Sequence, residues 1–255
     1  MELEFDNSHS REAIHEAWRS AGVIKLQGFL SSDDTQKLRT LVDYCYGLVE
    51  RELSSGLDRD LIENFKIWNG IAARPLAAFL RRYEPSTATA WDQLKSTVTT
   101  RARDVFGSRW YFCPERSFFR KHLDAKKFVP WHTDADAAEI LGRRAFNVWL
   151  PLDPVGDAAP SLDFVPGSHR QMINVPCHEG YIRSDEWVMA HFGADHWCPY
   201  AKPGDAIIFD QNTLHRTQRD CGSARTSCEF RFEGGTMRQL FVWPARRVLR
   251  RLRLS

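Results

Sequence analysis

Beyond residue 107 the chain changes texture, and that change limits its fold more than any other feature. "RWYFCPERSFFRKHL", "FVPWHTD", "RAFNVWLPLD", "LDFVPGSH", "DAIIFDQNTLHRTQ", "RTSCEFRFEG" and "RQLFVWP" follow as short aromatic and β-branched runs, punctuated by Pro, Gly and Asp. Many short strands with frequent turn signals predict a sandwich or barrel. The front half reads differently. "SREAIHEAWRS" has helical apolar spacing, with Ser10 as N-cap and Gly22 as the stop. "VIKLQGFL", residues 23–30, reads as a strand. A long helix follows, capped by Ser31 or Ser32, with acids in its first turn. Residues 56–83 read as helix or helical loop, and "TAWDQLKSTVTTRARDVFG" as a helix ending at Gly107.

These patterns predict one domain of mainly β structure with a helical buttress (α+β), a double-sheet jelly roll. The expected division is a mainly helical part at 1–107, a core at 108–245 and a basic tail at 246–255. The tail carries Arg246, Arg247, Arg250, Arg251 and Arg253. It reads as a solvated helix end in preference to an anionic-surface contact.

Composition removes several function classes. A formal net charge of +2 demands no nucleic-acid partner. The six cysteines form no CxxC pair, which argues against a structural zinc site. The charged N-terminus is not a signal peptide, and no apolar run reaches the roughly 18 residues of a membrane span. The expectation is a cytoplasmic protein with reduced thiols. Nine tryptophans and sixteen phenylalanines suit a β-rich core and also an aromatic pocket for a small organic molecule.

The candidate chemistry starts at "FVPWHTDADAAEI". On an extended chain, residues i and i+2 share a face, so His132 and Asp134 can reach one point. An HxD pair alone is weak, but "PGDAIIFDQNTLHRTQ" adds His215 after a buried strand. Two histidines and one carboxylate with open positions form the facial triad suited to non-haem Fe(II). Arg225 follows ten residues after His215, with Ser227 on the same strand face. A guanidinium grips a carboxylate with two parallel bonds and a hydroxyl adds a donor, as the far end of a 2-oxoglutarate-like diacid requires. Arg231 is the competing clamp on that face; spacing and Ser227 favour Arg225.

The strings HTD (132–134), "WLPLD" (149–153), "FVPGSH" (164–169), "GDAIIFDQNTLH" (204–215) and "ARTSCEFRF" (224–232) resemble the phytanoyl-CoA dioxygenase family. "GVIKLQGFLSSDDTQKLRTLV" is similar to that family's opening strand and helix. The resemblance runs from about 20 to 235, while residues 52–110 match nothing recognisable and are where substrate-specific elements are expected. It implies a double-stranded β-helix and an oxygenase using Fe(II), 2-oxoglutarate and O2, which oxidises a C–H bond and releases succinate and CO2. It assigns the metal to His132, Asp134 and His215, and the cosubstrate to Arg225 and Ser227. Asn147 becomes a donor to the near end of the diacid. Retention of Asp134 argues against halogenation, because related halogenases have a small residue there.

His169 reads as a turn or packing residue, and His122, His178, His191 and His196 lack partners at ligand spacing. "MAHFGADHWCPY" reads as a loop that could place His191 and His196 at the pocket mouth, with an ordinary surface loop preferred. Arg116, Arg120 and Lys121 suit either an anionic substrate or a solvated strand face. The expected substrate is a small natural-product intermediate; the sequence leaves regiochemistry and oligomeric state open. Two other readings remain: a cupin-type metalloenzyme that does not use 2-oxoglutarate, and a non-catalytic binding module.

Overall fold

The computed structural model describes residues 1–56, 58–68, 70–122, 128–135, 144–171, 183–219 and 221–234. The expected strand "RQLFVWP", the basic tail and His178 lie outside the described residues.

Helix α1 (Arg11–Ala21) begins where the sequence places it. The Ser10 hydroxyl accepts from the Ala13 N–H at 3.2 Å, and Gly22 ends the helix in the left-handed region at φ 72°. A side chain at Gly22 would be doubly penalised. Its Cβ would fall 2.3 Å from His169 Nδ1 and 2.6 Å from Thr213 Oγ1. Gly22→Ala is therefore expected to cost about 1–3 kcal/mol of stability, by left-handed strain plus overpacking. A melting temperature unchanged from wild type would contradict this packing.

Strand β1 (Glu4–Phe5) pairs in parallel with β2 (Val23–Leu26). Strand β2 is half the length expected, because Gly28 turns the chain with φ 62°. Helix α2 (Ser32–Ser55) starts at Ser31, whose hydroxyl accepts from the Asp34 N–H at 3.0 Å. The stretch read as helix or helical loop resolves into α3 (Arg59–Trp68), the two-residue strand β3 (Ile71–Ala72) and α4 (Ala73–Tyr83). Helix α5 (Pro85–Phe106) opens on a proline, whose missing N–H costs nothing in the first turn.

The strand-rich half supplies β4 (Trp110–His122), β5 (Arg144–Pro151), β6 (Leu162–Phe164), β7 (Ala206–Asp210), β8 (His215–Thr217) and β9 (Arg225–Gly234). Strand β4 is continuous, but its pairing with β9 slips between Cys113 and Phe118, around Pro114, which has no N–H to give the ladder. The larger sheet runs β1-β2-β7-β5-β9-β4-β3, and β6 pairs with β8 in a second. Isolated bridges extend the second sheet: His132 to His215, Trp131 to Arg183, and Phe164 to Trp197. "FVPWHTD" thus contributes a bridge rather than a full strand.

Period-two alternation divides the large sheet into two faces. Phe146, Val148 and Leu150 on β5, with Cys228, Phe230 and Phe232 on β9, pack against the helices. Trp91 of α5 anchors that layer, its ring 5.4 Å from Phe119 and 6.0 Å from Phe230. The alternate residues face the second sheet, where Trp149, Ile207 and Phe209 meet Leu162 and Phe164. Burying such side chains contributes about 1.5–3 kcal/mol each. The result is the expected jelly roll on a helical buttress, with room for a site between its sheets.

One expectation needs correction. Met189–Phe192, read as part of a loop, belong to helix α6 (Asp185–Phe192). Ser184 caps it by accepting from the Trp187 N–H at 3.2 Å, Asp185 and Glu186 lie in the first turn, and Gly193 follows its end. Arg216 ties α6 to the second sheet, with 2.7 Å contacts to both Asp163 and Asp185. Among the described residues no helix is long and apolar enough to cross a membrane, and the described cysteines are free thiols.

Candidate active site

The second sheet brings two imidazoles together directly. His132 and His215 exchange both backbone hydrogen bonds, at 2.9 and 3.0 Å, so their side chains emerge on one face with ring centroids 4.2 Å apart. Each ring is held through its Nδ1. His132 Nδ1 lies 2.8 Å from Pro130 O, and His215 Nδ1 lies 2.9 Å from Thr213 O. A carbonyl can only accept, so each Nδ1 carries a proton and donates it, which leaves each Nε2 turned towards Asp134.

Asp134 is brought in by its backbone, whose N–H donates to Gln211 O at 2.9 Å. Its Oδ1 lies 3.7 Å from His132 Nε2 and its Oδ2 lies 3.8 Å from His215 Nε2. These gaps are too long for hydrogen bonds but match donors on a shared ion at about 2.0–2.2 Å each. The three ligand atoms all lie within 4.8 Å of one another.

The electrostatics suit a cation. Burial, aided by neighbouring His132, pulls His215 down to about 4, so the ring stays neutral. Burial pushes the Asp134 carboxyl up, but His215, His132 and Arg231 outweigh it and hold the group below the ordinary carboxylate range. Two supports fix Asp134 further. The Asn147 amide donates to Asp134 Oδ2, and Arg231 donates to Asp134 O at 3.2 Å and to Gln211 Oε1 at 2.9 Å.

These contacts bear on two residues singled out in the sequence. Asn147, fully buried on β5 and expected to face the diacid, donates to the carboxylate of Asp134. Arg231, the competing clamp, is committed to Asp134 and Gln211. Losing a carboxylate's hydrogen-bond partner commonly costs about 10–100-fold in metal affinity. Asn147→Ala is expected to weaken ferrous binding by that factor, and an anaerobic titration with unchanged affinity would contradict the assignment.

A cavity of about 180 Å³ opens beside the triad. Arg225 forms one end of its wall. The side chain is buried on β9, with Nη1 donating to Pro160 O and to Ser161 O, the latter at 2.7 Å. Its guanidinium lies over the Trp149 ring, 5.1 Å from the centroid. Nε has no partner, and no carboxylate pairs with the group among the described residues. Burial accordingly pulls Arg225 down to about 10. Buried arginines are normally paired, and this one has no paired carboxylate among the described residues.

Ser227 projects from the same strand face, opposite Arg120, but does not line the cavity. Thr217 does, and the sequence reading missed it. Its Oγ1 accepts from the Val129 N–H at 3.2 Å, leaving its own proton to donate. The signal was present: Thr217 is two residues beyond His215 and shares its face.

The remaining candidates separate cleanly. Arg116 and Arg120 line the cavity, whereas Lys121 turns to the helical layer and pairs with Asp43 at 2.8 Å. His169 Nε2 lies 3.1 Å from Arg19 O, a packing role as expected. His191 stacks on Trp187 and His196 meets Trp131 edge-on; neither lines the cavity. His122 lies opposite Arg225 in the β4–β9 ladder.

The family model for phytanoyl-CoA dioxygenase matches residues 18–226. The chain belongs to the phytanoyl-CoA dioxygenase family. It is therefore an Fe(II)- and 2-oxoglutarate-dependent oxygenase, with O2 as the second cosubstrate. Solved structures share its fold. AviO1 from Streptomyces viridochromogenes Tue57 is 18% identical, with 89% of this chain and 96% of that one covered at a TM-score of 0.60. EctD from S. alaskensis, solved with 2-oxoglutarate and 5-hydroxyectoine, is 19% identical over 89% and 76%, with a TM-score of 0.59. The non-heme alpha ketoglutarate dependent epimerase SnoN from nogalamycin biosynthesis is 16% identical over 87% and 80%, with a TM-score of 0.56. No curated protein sequence matches significantly.

The donor set fits what this family uses. Two imidazoles, of which burial keeps His215 neutral, converge with the carboxylate of Asp134, and a buried arginine with no counter-ion among the described residues lines the same cavity.

Proposed function

We propose that His132, Asp134 and His215 hold one ferrous ion and that Arg225 receives the far carboxylate of 2-oxoglutarate, with Thr217 as an added donor. Ser227, one strand step along, supports that end of the wall. The reaction is hydroxylation of an unactivated C–H bond in a small organic molecule, a natural-product intermediate. Residues 1–255 act as one oxygenase domain. The single observation that carries this reading is the buried, counter-ion-free Arg225 in the same cavity as a convergent His–Asp–His triad.

Ferrous iron supplies the oxidising chemistry when bound, at the expense of 2-oxoglutarate, which leaves as succinate and CO2. The chain's own residues prepare the site for it. Neutral His215 need lose no proton to become a ligand. The hydrogen bonds at both Nδ1 atoms fix ring orientation, and Asn147 with Arg231 fixes the carboxylate. Trp149, Leu162 and Phe209 wall the cavity with apolar surface, which limits water and strengthens the charge interactions inside it.

Hydroxylation and epimerisation differ in the fate of the substrate carbon. Reaction under isotopically labelled O2 separates them for any small molecule that stimulates succinate release. A hydroxylated product carries one labelled oxygen atom, and a product of unchanged mass would replace hydroxylation with epimerisation.

A further inference from the structure

Among the described residues, four guanidinium groups line the cavity, those of Arg116, Arg120, Arg225 and Arg231, against the two carboxyl groups of Asp134 and Glu229. A ferrous ion and the dianion of 2-oxoglutarate cancel each other, so the walls keep an excess of two positive charges. Glu233, 4.0 Å from Arg231 Nε, reduces the excess to one. Protonation of Glu229 widens it again. Burial, with Asp134 nearby, pushes that carboxyl up to about 7, against the opposing pull of Arg120, Arg231 and Arg116. With iron and cosubstrate in place, the cavity still favours an anion.

Two of the four arginines are already engaged. Arg225 faces the far end of the diacid, and Arg231 donates to Asp134 O and Gln211 Oε1. Arg116 and Arg120 remain, both on β4, with Phe118 between them. Arg120 Nε is buried without a partner, and no hydrogen bond or ion pair joins this guanidinium to another described residue. A donor buried without an acceptor costs the fold stability, and a bound anion removes that cost.

The register sets these two arginines apart from the diacid's anchor. His122 stands opposite Arg225, Arg120 opposite Ser227, and Phe118 opposite Glu229. Arg120 therefore starts two residues away from Arg225 along the ladder. Its guanidinium then leans further off, over the Phe118 ring, 4.9 Å from the centroid. Repulsion between Arg120 and Arg225 favours that lean. Glu229, the register partner of Phe118, lies about 13 Å along β9 from Arg225. Arg116 lies beyond Phe118, where the pairing of β4 with β9 slips, and such irregularities re-aim side chains beside a site. Two guanidiniums thus flank an aromatic surface, with Trp149 on the other side of Glu229 as a second apolar wall.

We propose that Arg120, with Arg116 on the far side of Phe118, is the specificity-determining residue for the prime substrate, gripping a carboxylate carried on a small apolar or aromatic body. The guanidinium fork matches a carboxylate, and the ring beneath it supplies the apolar contact. This deepens the oxygenase reading and rests on it for the identity of the cavity as the reaction site.

Benzoate, benzamide and benzamidine test the claim as planar probes of one shape and three charges. Their affinities are measured calorimetrically on the full chain, loaded anaerobically with Fe(II) and saturated with 2-oxoglutarate so that Arg225 is occupied. Benzoate is expected to bind the wild-type protein about tenfold more tightly than benzamide, and benzamidine more weakly than either. Arg120→Gln is expected to bring benzoate to within about twofold of benzamide, and Arg116→Gln to weaken benzoate about threefold or more. The affinity of Arg120→Gln for 2-oxoglutarate, measured alongside, is expected to change less than its affinity for benzoate. Benzoate bound no more tightly than benzamide or benzamidine overturns the proposal, and so does a benzoate preference that survives in Arg120→Gln. A loss of 2-oxoglutarate affinity in Arg120→Gln as large as the loss for benzoate overturns it too, by giving Arg120 to the cosubstrate. If the wild-type protein takes up neither iron nor 2-oxoglutarate, the oxygenase reading falls instead. The fall in benzoate affinity from wild type to Arg120→Gln, measured on the metal-free chain, still decides whether Arg120 grips a carboxylate.

Discussion

Asp134→Ala is expected to reduce 2-oxoglutarate turnover at least about 100-fold while leaving the protein folded. The expectation follows from how each ligand is placed. The backbone of Asp134 stays in position through its N–H bond to Gln211 O, and Arg231 still holds its carbonyl. Only the carboxylate is lost. His132→Ala is expected to behave alike, because the bridge to His215 is made by backbone atoms and survives truncation. Iron content measured after anaerobic loading, beside circular dichroism, separates lost metal from lost fold. Normal turnover by either variant would remove that residue from the metal site.

Arg225→Ala carries the second large effect. Truncating one partner of a buried charge pair costs about 2–5 kcal/mol, so the apparent requirement for 2-oxoglutarate should rise about 30-fold or more. Ferrous binding should change little, since Arg225 contacts Pro160, Ser161 and Trp149 rather than the triad. The dependence of succinate release on 2-oxoglutarate concentration measures this directly. An unchanged requirement would return the role to Arg231, the other arginine on that face, and would leave the orphaned Nε of Arg225 without a purpose.

Sequence was sufficient where spacing alone fixes geometry. Ser10 and Gly22 bound α1 because capping is local chemistry. His132 and Asp134 share a face because extended chain alternates, and His215 was legible from the order of turn, buried strand and histidine. The choice of Arg225 over Arg231 rested on spacing and on the nearby Ser227 in the sequence. The structure supplies a physical distinction, because Arg231 is spent on Asp134 and Gln211.

What escaped the sequence depended on contacts between distant segments. Asn147 was placed correctly on an inner strand, but its neighbour is Asp134, thirteen residues earlier, a contact that no local pattern describes. Ser227 was named and Thr217 overlooked because adjacency to Arg225 was visible, whereas the pairing of β8 with β6 was not. Helix α6 was missed although Ser184, Asp185, Glu186 and Gly193 marked both its ends, because residues 189–200 were read as one loop.

The central claim is that one ferrous ion and one molecule of 2-oxoglutarate meet at this His–Asp–His triad. Metal-free protein titrated anaerobically with Fe(II) in the presence of 2-oxoglutarate, then exposed to O2 with succinate measured, tests it most directly. The account predicts saturation at one iron per chain and succinate formation that depends on that iron, even without a prime substrate. Protein that binds no ferrous iron, or that forms succinate equally well without it, would contradict the account.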